Sequence, residues 1–173
     1  NGCPEAAAHM AAYMPSLTLE EAAGIGRVDS IAGRFESGDV ADAEAARALI
    51  MASWYDQRDV VELLLDSGVD VARRGDDGET ALHIAAYQGH AQLVDLLIGR
   101  GAPVDVTDDG YHTPPVVWAL HAWLVENRAA ADSYRRVVLS LVDAGARVKP
   151  EWFDDDRIRS DPELYAVLTS RST

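Results

Sequence analysis

The sequence predicts an all-α fold in which short helix-turn-helix units stack into a solenoid closed by a helical C-terminal cap. Three observations predict it. Residues 77–106 hold two amphipathic helical patterns, one on Leu82, Ala85 and Ala86 and one on Leu93, Val94, Leu96, Leu97 and Ile98, with Gly89 between them and Gly101 after. The spacing then recurs. Leu49, Ala52, Val61, Leu63, Leu64 and Gly68 stand 33 residues before Leu82, Ala85, Val94, Leu96, Leu97 and Gly101, and Thr113-Pro114 stands 33 after Thr80-Ala81. Finally, one such helix pair is too small to bury its own apolar face, so a fixed period means that neighbours cover one another.

Taken in order, residues 1–15 are Ala-rich without a periodic face and read as a tag or leader rather than as part of the fold. A single domain follows over residues 16–173. Its first repeat, 17–38, is degenerate: Leu19, Ala22 and Ala23 make one small apolar face, Gly26 breaks it, and Val28, Ile31 and Phe35 make another. Residues 39–47 carry no turn signal, which predicts an extended helix running into Leu49. The second repeat, 42–74, has Val60, Val61, Leu63, Leu64 and Leu65 on its second helix, and Ser53 on its first.

The central repeat, 75–107, opens on the Asp77-Gly78 turn with Thr80 at the N-cap. The fourth, 108–148, is enlarged. Gly101 to Gly145 spans 44 residues, 11 more than one period, so an insertion lies within or just after its first helix. That helix is expected to begin near Pro114, where the missing amide is harmless, and to run to about residue 127 before 128–133 turns into a helix over 134–144. Ser140 on this last helix is expected to line the core. In the cap, 149–173, residues 154–156 read as solvated acidic loop, and Asp161 caps a final helix that Pro162 opens and that runs through Leu168.

The run Thr80-Ala81-Leu82-His83-Ile84-Ala85-Ala86, then Gly89-His90, residues 94–98 and Gly101-Ala102, resembles the ankyrin repeat. This resemblance implies an ankyrin-repeat solenoid of about four repeats joined by short β-hairpin turns. It also implies that His83 hydrogen-bonds neighbouring turns and that His90 serves a helix start. The fourth repeat departs from the pattern, since Pro115 and Val116 stand where Leu and His belong, and its register is open by one residue.

Composition narrows the function classes. The chain has 173 residues, a formal charge of -14 from 29 acids and 15 bases, and 48% hydrophobic residues. An acidic surface repels nucleic-acid phosphate, so the expected partner is another protein, preferably basic. No apolar run reaches membrane-spanning length. Cys3 is the one cysteine, which rules out an intrachain disulfide and favours a cytoplasmic location, with a removed signal peptide left open. A monomer is expected.

Motifs for catalysis or cofactors are not found: there is no phosphate loop, no Gly-rich dinucleotide turn, no nucleophile elbow and no zinc spacing, so neither a cofactor nor a metal is expected. In the ankyrin family partners usually dock across the concave face of first helices and the adjoining fingertips. Carried over by position, that surface comprises Asp76, Asp77, Glu79, Tyr87 and Gln88 from the central repeat. Trp54 and Tyr55 come from the repeat before it, and Asp108, Asp109, Tyr111 and His112 from the repeat after it. A non-catalytic binding module is the first expectation, with an immunity or inhibitor protein as a variant of it. The second, from a different class, is an enzyme or small-molecule binder using a pocket made by the insertion, walled by Trp118, Trp123, Tyr55 and Tyr87, with a carboxylate or His121 as acid or base. Trp118 and Trp123 are five apart and point in different directions, so at least one is expected in the core.

Overall fold

The computed structural model describes residues 17–38, 40–126, 131–153 and 155–171. The expected leader, 1–15, lies outside them, as do Asp154 and residues 128–130, the first half of the expected turn after the fourth repeat's first helix. Helix pairs follow one another as the period requires: α1 (Leu19–Gly24) and α2 (Val28–Glu36), α3 (Asp42–Trp54) and α4 (Arg58–Asp66), α5 (Ala81–Gln88) and α6 (Ala91–Gly99). The fourth pair is α7 (Pro115–His121), continued by a π-helical turn (Ala122–Glu126), with α8 (Ala131–Asp143). A 3-10 turn (Pro150–Phe153), α9 (Asp156–Arg159) and α10 (Pro162–Arg171) complete the chain.

First helices pack side by side in the order α1, α3, α5, α7, and the second helices lie against them on one side. One continuous apolar core results, running from Leu19 through Leu49, Leu64, Leu82, Leu97 and Leu141 to Leu168. The 13-residue α3 begins well before Leu49, as the lack of a turn signal predicts, and buries Ala45, Ala46 and Ala48 as well as Leu49 and Ala52. Small residues there let α1 approach closely.

Each junction is also tied by a side chain that reaches the carbonyl end of the preceding first helix. Gln57 donates to the Gly24 carbonyl at 3.1 Å, His90 Nε2 lies 3.3 Å from the Trp54 carbonyl, and the Tyr134 hydroxyl donates to the Tyr87 carbonyl at 2.8 Å. Gln57 and His90 stand one period apart; Tyr134 lies beyond the insertion and takes over their role. These carbonyls have no partner within their own helix, so each bond satisfies a group that helix geometry leaves open. Arg157 does the same at the end of the stack, donating to the Trp123 carbonyl at 3.0 Å and to that of Leu124.

The fourth repeat settles the open register. Val116, Ala119 and Leu120 are buried, 34 rather than 33 residues after Leu82, Ala85 and Ala86, and Pro114 rather than Thr113 occupies the N-cap. One added residue precedes the core positions of α7; the rest of the added length falls after α7, in the π-helical turn and the segment leading to α8. The fingers are short hairpin turns without extended strands among the described residues, and an isolated antiparallel bridge joins Arg74 to Thr80 across the central one. Three expectations need correction. The helix expected from residue 134 begins at Ala131. Asp155 and Asp156 are not plain loop, because Asp155 accepts from the Arg157 amide and caps α9, whose Ile158 is fully buried. Ser140 points outward and donates to Asp95 at 2.6 Å, whereas Ser53 is buried as expected and bonds the Leu49 carbonyl.

Candidate functional site

Two rows of side chains cross the exposed side of the first helices. Trp54, Tyr87 and His121 hold equivalent places at the ends of α3, α5 and α7, and Met51, Ile84 and Trp118 hold the places one turn earlier. Between these rows and the fingers lies an open groove of about 540 Å³, whose wall includes Trp54, Tyr87, Trp118, Tyr111, Asp77 and Glu126. Glu79, Ile84, Thr113, Val117 and His121 complete the lining.

The aromatic wall is held in place from behind. Trp118 donates its indole N–H to Asp108 and to the Thr113 hydroxyl, both at 3.1 Å. Its ring meets His83 at 5.4 Å and 70° and Tyr87 at 5.7 Å and 77°, edge-to-face arrangements that favour the ring quadrupoles. Tyr87 is fixed in turn by its hydroxyl, which donates to Glu126 at 2.9 and 3.0 Å, and Trp54 leans against it with centroids 6.2 Å apart. His121 Nε2 lies 3.4 Å from the same Glu126 carboxylate. Three successive repeats thus contribute one continuous aromatic surface.

Behind the wall sit two buried polar groups. His83 is fully buried; its Nδ1 accepts from the Thr80 amide at 3.1 Å and lies 2.9 Å from the Thr80 hydroxyl, which leaves Nε2–H to donate to the Thr113 carbonyl at 3.1 Å. Burial pushes the imidazole down to about 4, against the smaller upward pull of the Thr113 carbonyl and Asp108, so the ring is neutral at pH 7. The histidine therefore does what the resemblance implied. Asp108 is 2% exposed. Its burial works against ionisation, but hydrogen bonds from the Tyr111 and Thr113 amides, the Trp118 indole and the Thr113 hydroxyl outweigh that and hold the carboxyl well below the usual range.

The structure places the sequence-derived residues unequally. Trp54, Asp77, Glu79, Tyr87, Tyr111, Trp118 and His121 meet in the groove. Asp108, expected on the binding surface, faces inward, because the finger needs an acceptor for amides that no strand satisfies. Trp123, expected to wall a pocket, is 4% exposed and belongs to the core. Tyr55, although next to Trp54, lies by Gly24 of the preceding repeat, and neither it nor Asp76, Gln88, Asp109 or His112 lines the groove. Asp109 pairs with Arg74 at 2.6 Å at a fingertip, where its amide also bonds the Asp77 carbonyl. Gly78 beneath them has φ +74, and a Cβ there would collide with the Asp109 carboxylate. Sequence reasoning missed Ile84, Thr113, Val117 and Glu126. Glu126 belongs to the insertion, which has no counterpart in the other repeats to give it a position.

Among the described residues no group of three or more His, Cys, Asp or Glu is arranged to hold a metal, and no helix is long and apolar enough to cross a membrane.

The family model described as Ankyrin repeats (3 copies) matches residues 49–150, more than half of the chain. The protein belongs to the ankyrin repeat family, whose members generally serve as protein–protein interaction modules. Its relatives include Serine/threonine-protein kinase 12 of Arabidopsis thaliana, 41% identical over 80 residues, or 46% of this chain and 17% of that protein. Inversin of Danio rerio is 37% identical over 78 residues, 44% of this chain and 8% of its own length. Protein PhlB of Serratia liquefaciens is 41% identical over 66 residues, 38% of this chain and 29% of its own. The chain spans less than a third of the length of each.

Proposed function

We propose that the protein is a non-catalytic binding module that takes a basic segment of another protein along its concave groove and fingertips. The observation that carries this reading is the composition of the groove: a fixed aromatic wall edged by Asp77, Glu79 and Glu126, with no Arg or Lys among the described residues that line it. Aromatic side chains of this kind offer large contact area with little rotamer freedom to lose, and are enriched where interfaces gain most of their energy. The formal charge of -14 supplies a long-range field that draws a basic partner in and repels an acidic one.

A random-peptide library selected on the immobilised protein tests it. Enrichment of basic sequences is expected, with association slowing at least tenfold between low and high salt and affinity falling when Asp77→Asn and Glu79→Gln are combined. Enrichment of neutral or acidic sequences, or binding indifferent to salt, removes the reading.

A further inference from the structure

We propose that the corner formed by Tyr87 and Trp118 and flanked by Trp54 is a subsite for one arginine side chain of the partner. This rests on the concave-face reading and adds its anchor. The planes of Tyr87 and Trp118 stand at 77°, edge to face, and Trp54 is tilted at 45° to Tyr87, so the three rings make an angled aromatic wall on which a flat cation entering the groove can stack. Nothing has to be ordered first. Trp118 is pinned through its indole nitrogen by Asp108 and Thr113, and Tyr87 through its hydroxyl by Glu126.

Charge selects a cation. Glu126 closes one side of the corner and Asp77 and Glu79 stand on the facing finger, no Arg or Lys is among the described residues that line the groove, and Arg74 behind the finger is turned to Asp109 and the Thr107 carbonyl. Shape and hydration then select arginine over lysine. A guanidinium is planar, weakly hydrated and able to stack on a ring while its edge donates to a carboxylate, but an ammonium in the same place would lose water that the rings do not replace. Because the groove is open along its length, the main chain bearing that arginine can continue across the fingers, where Tyr111 stands 80% exposed.

The test is a titration of the isotope-labelled protein with a capped Gly-Ser peptide carrying a single arginine, beside its lysine and citrulline counterparts. The four tryptophans are internal reporters. The arginine peptide is expected to move the indole N–H signals of Trp54 and Trp118 and leave those of Trp123 and Trp152 in place. It should bind at least fivefold more tightly than the lysine peptide, with the uncharged citrulline peptide weaker than either. Trp54→Leu, at the exposed end of α3, and the isosteric Glu126→Gln should each weaken arginine binding several-fold without lowering thermal stability. Equal affinity for lysine, unchanged affinity in both variants, or shifts confined to other residues would each overturn the subsite while leaving a basic partner possible. Failure of the library to yield basic sequences would instead remove the reading on which the subsite rests.

Discussion

Asp108 and His83 both touch Trp118, and both are groups whose burial has to be offset locally. Four hydrogen bonds converge on the Asp108 carboxylate, so Asp108→Asn, which turns half of its acceptors into donors, is expected to cost about 1–3 kcal/mol and to free the Trp118 indole. Denaturant unfolding and the Trp118 resonance would show the two effects together. His83 gives the fold a pH dependence of known sign. Its folded value of about 4 lies below the ordinary 6.5, so between those values the unfolded chain binds the extra proton and stability falls as the pH falls. The contribution is complete above pH 6.5 and reaches at most about 3 kcal/mol. Asp108, also depressed, adds a second loss only at lower pH, through and below the usual carboxylate range. Melting temperatures measured from pH 7 to pH 4 should decline, and His83→Asn should flatten that slope; a wild-type curve flat over this window would contradict a buried neutral imidazole.

At the scale of elements, the enlarged fourth repeat is held by two residues that no repeat pattern predicts. Tyr134 of α8 is fully buried and spans the gap left by the insertion, its ring lying over Gly89, where φ is +75 and a Cβ would stand 3.2 Å from the ring. Tyr134→Phe leaves the ring and removes the bond to the Tyr87 carbonyl, an expected loss of about 1 kcal/mol in chemical denaturation. Arg157 fastens the cap to the π-helical turn that carries Glu126, and Asp155 holds Arg157 in place. Arg157→Ala should therefore speed amide exchange in α10 and in the turn Ala122–Glu126 together, while α3 and α4 keep their protection. Exchange confined to α10 would show that the cap and the groove edge are not linked.

For the whole molecule, stability is a sum over neighbouring repeats rather than a property of one centre. Leu64→Ala and Leu97→Ala, each at a fully buried position in the stack, are expected to cost about 2–5 kcal/mol apiece. The period, the two helices of each repeat, the core residues and the capping roles of Thr80, Asp161 and Pro162 were legible in the chain, because they follow from local propensity and a spacing repeated along one dimension. So was the alignment of Trp54 with Tyr87, since equivalent positions in equal repeats point the same way, whereas the place of Trp118 beside them depended on the register of α7. What the sequence by itself determined, then, is a stacked helical solenoid with an acidic aromatic side. Only the tertiary structure decided that α7 is shifted by one residue, that Asp108 turns inward while Trp123 enters the core, and that Glu126 returns over Tyr87. These depend on where an insertion without a repeat partner comes to rest, and that is fixed by long-range packing and by which buried amides lack an acceptor, neither of which a local spacing encodes.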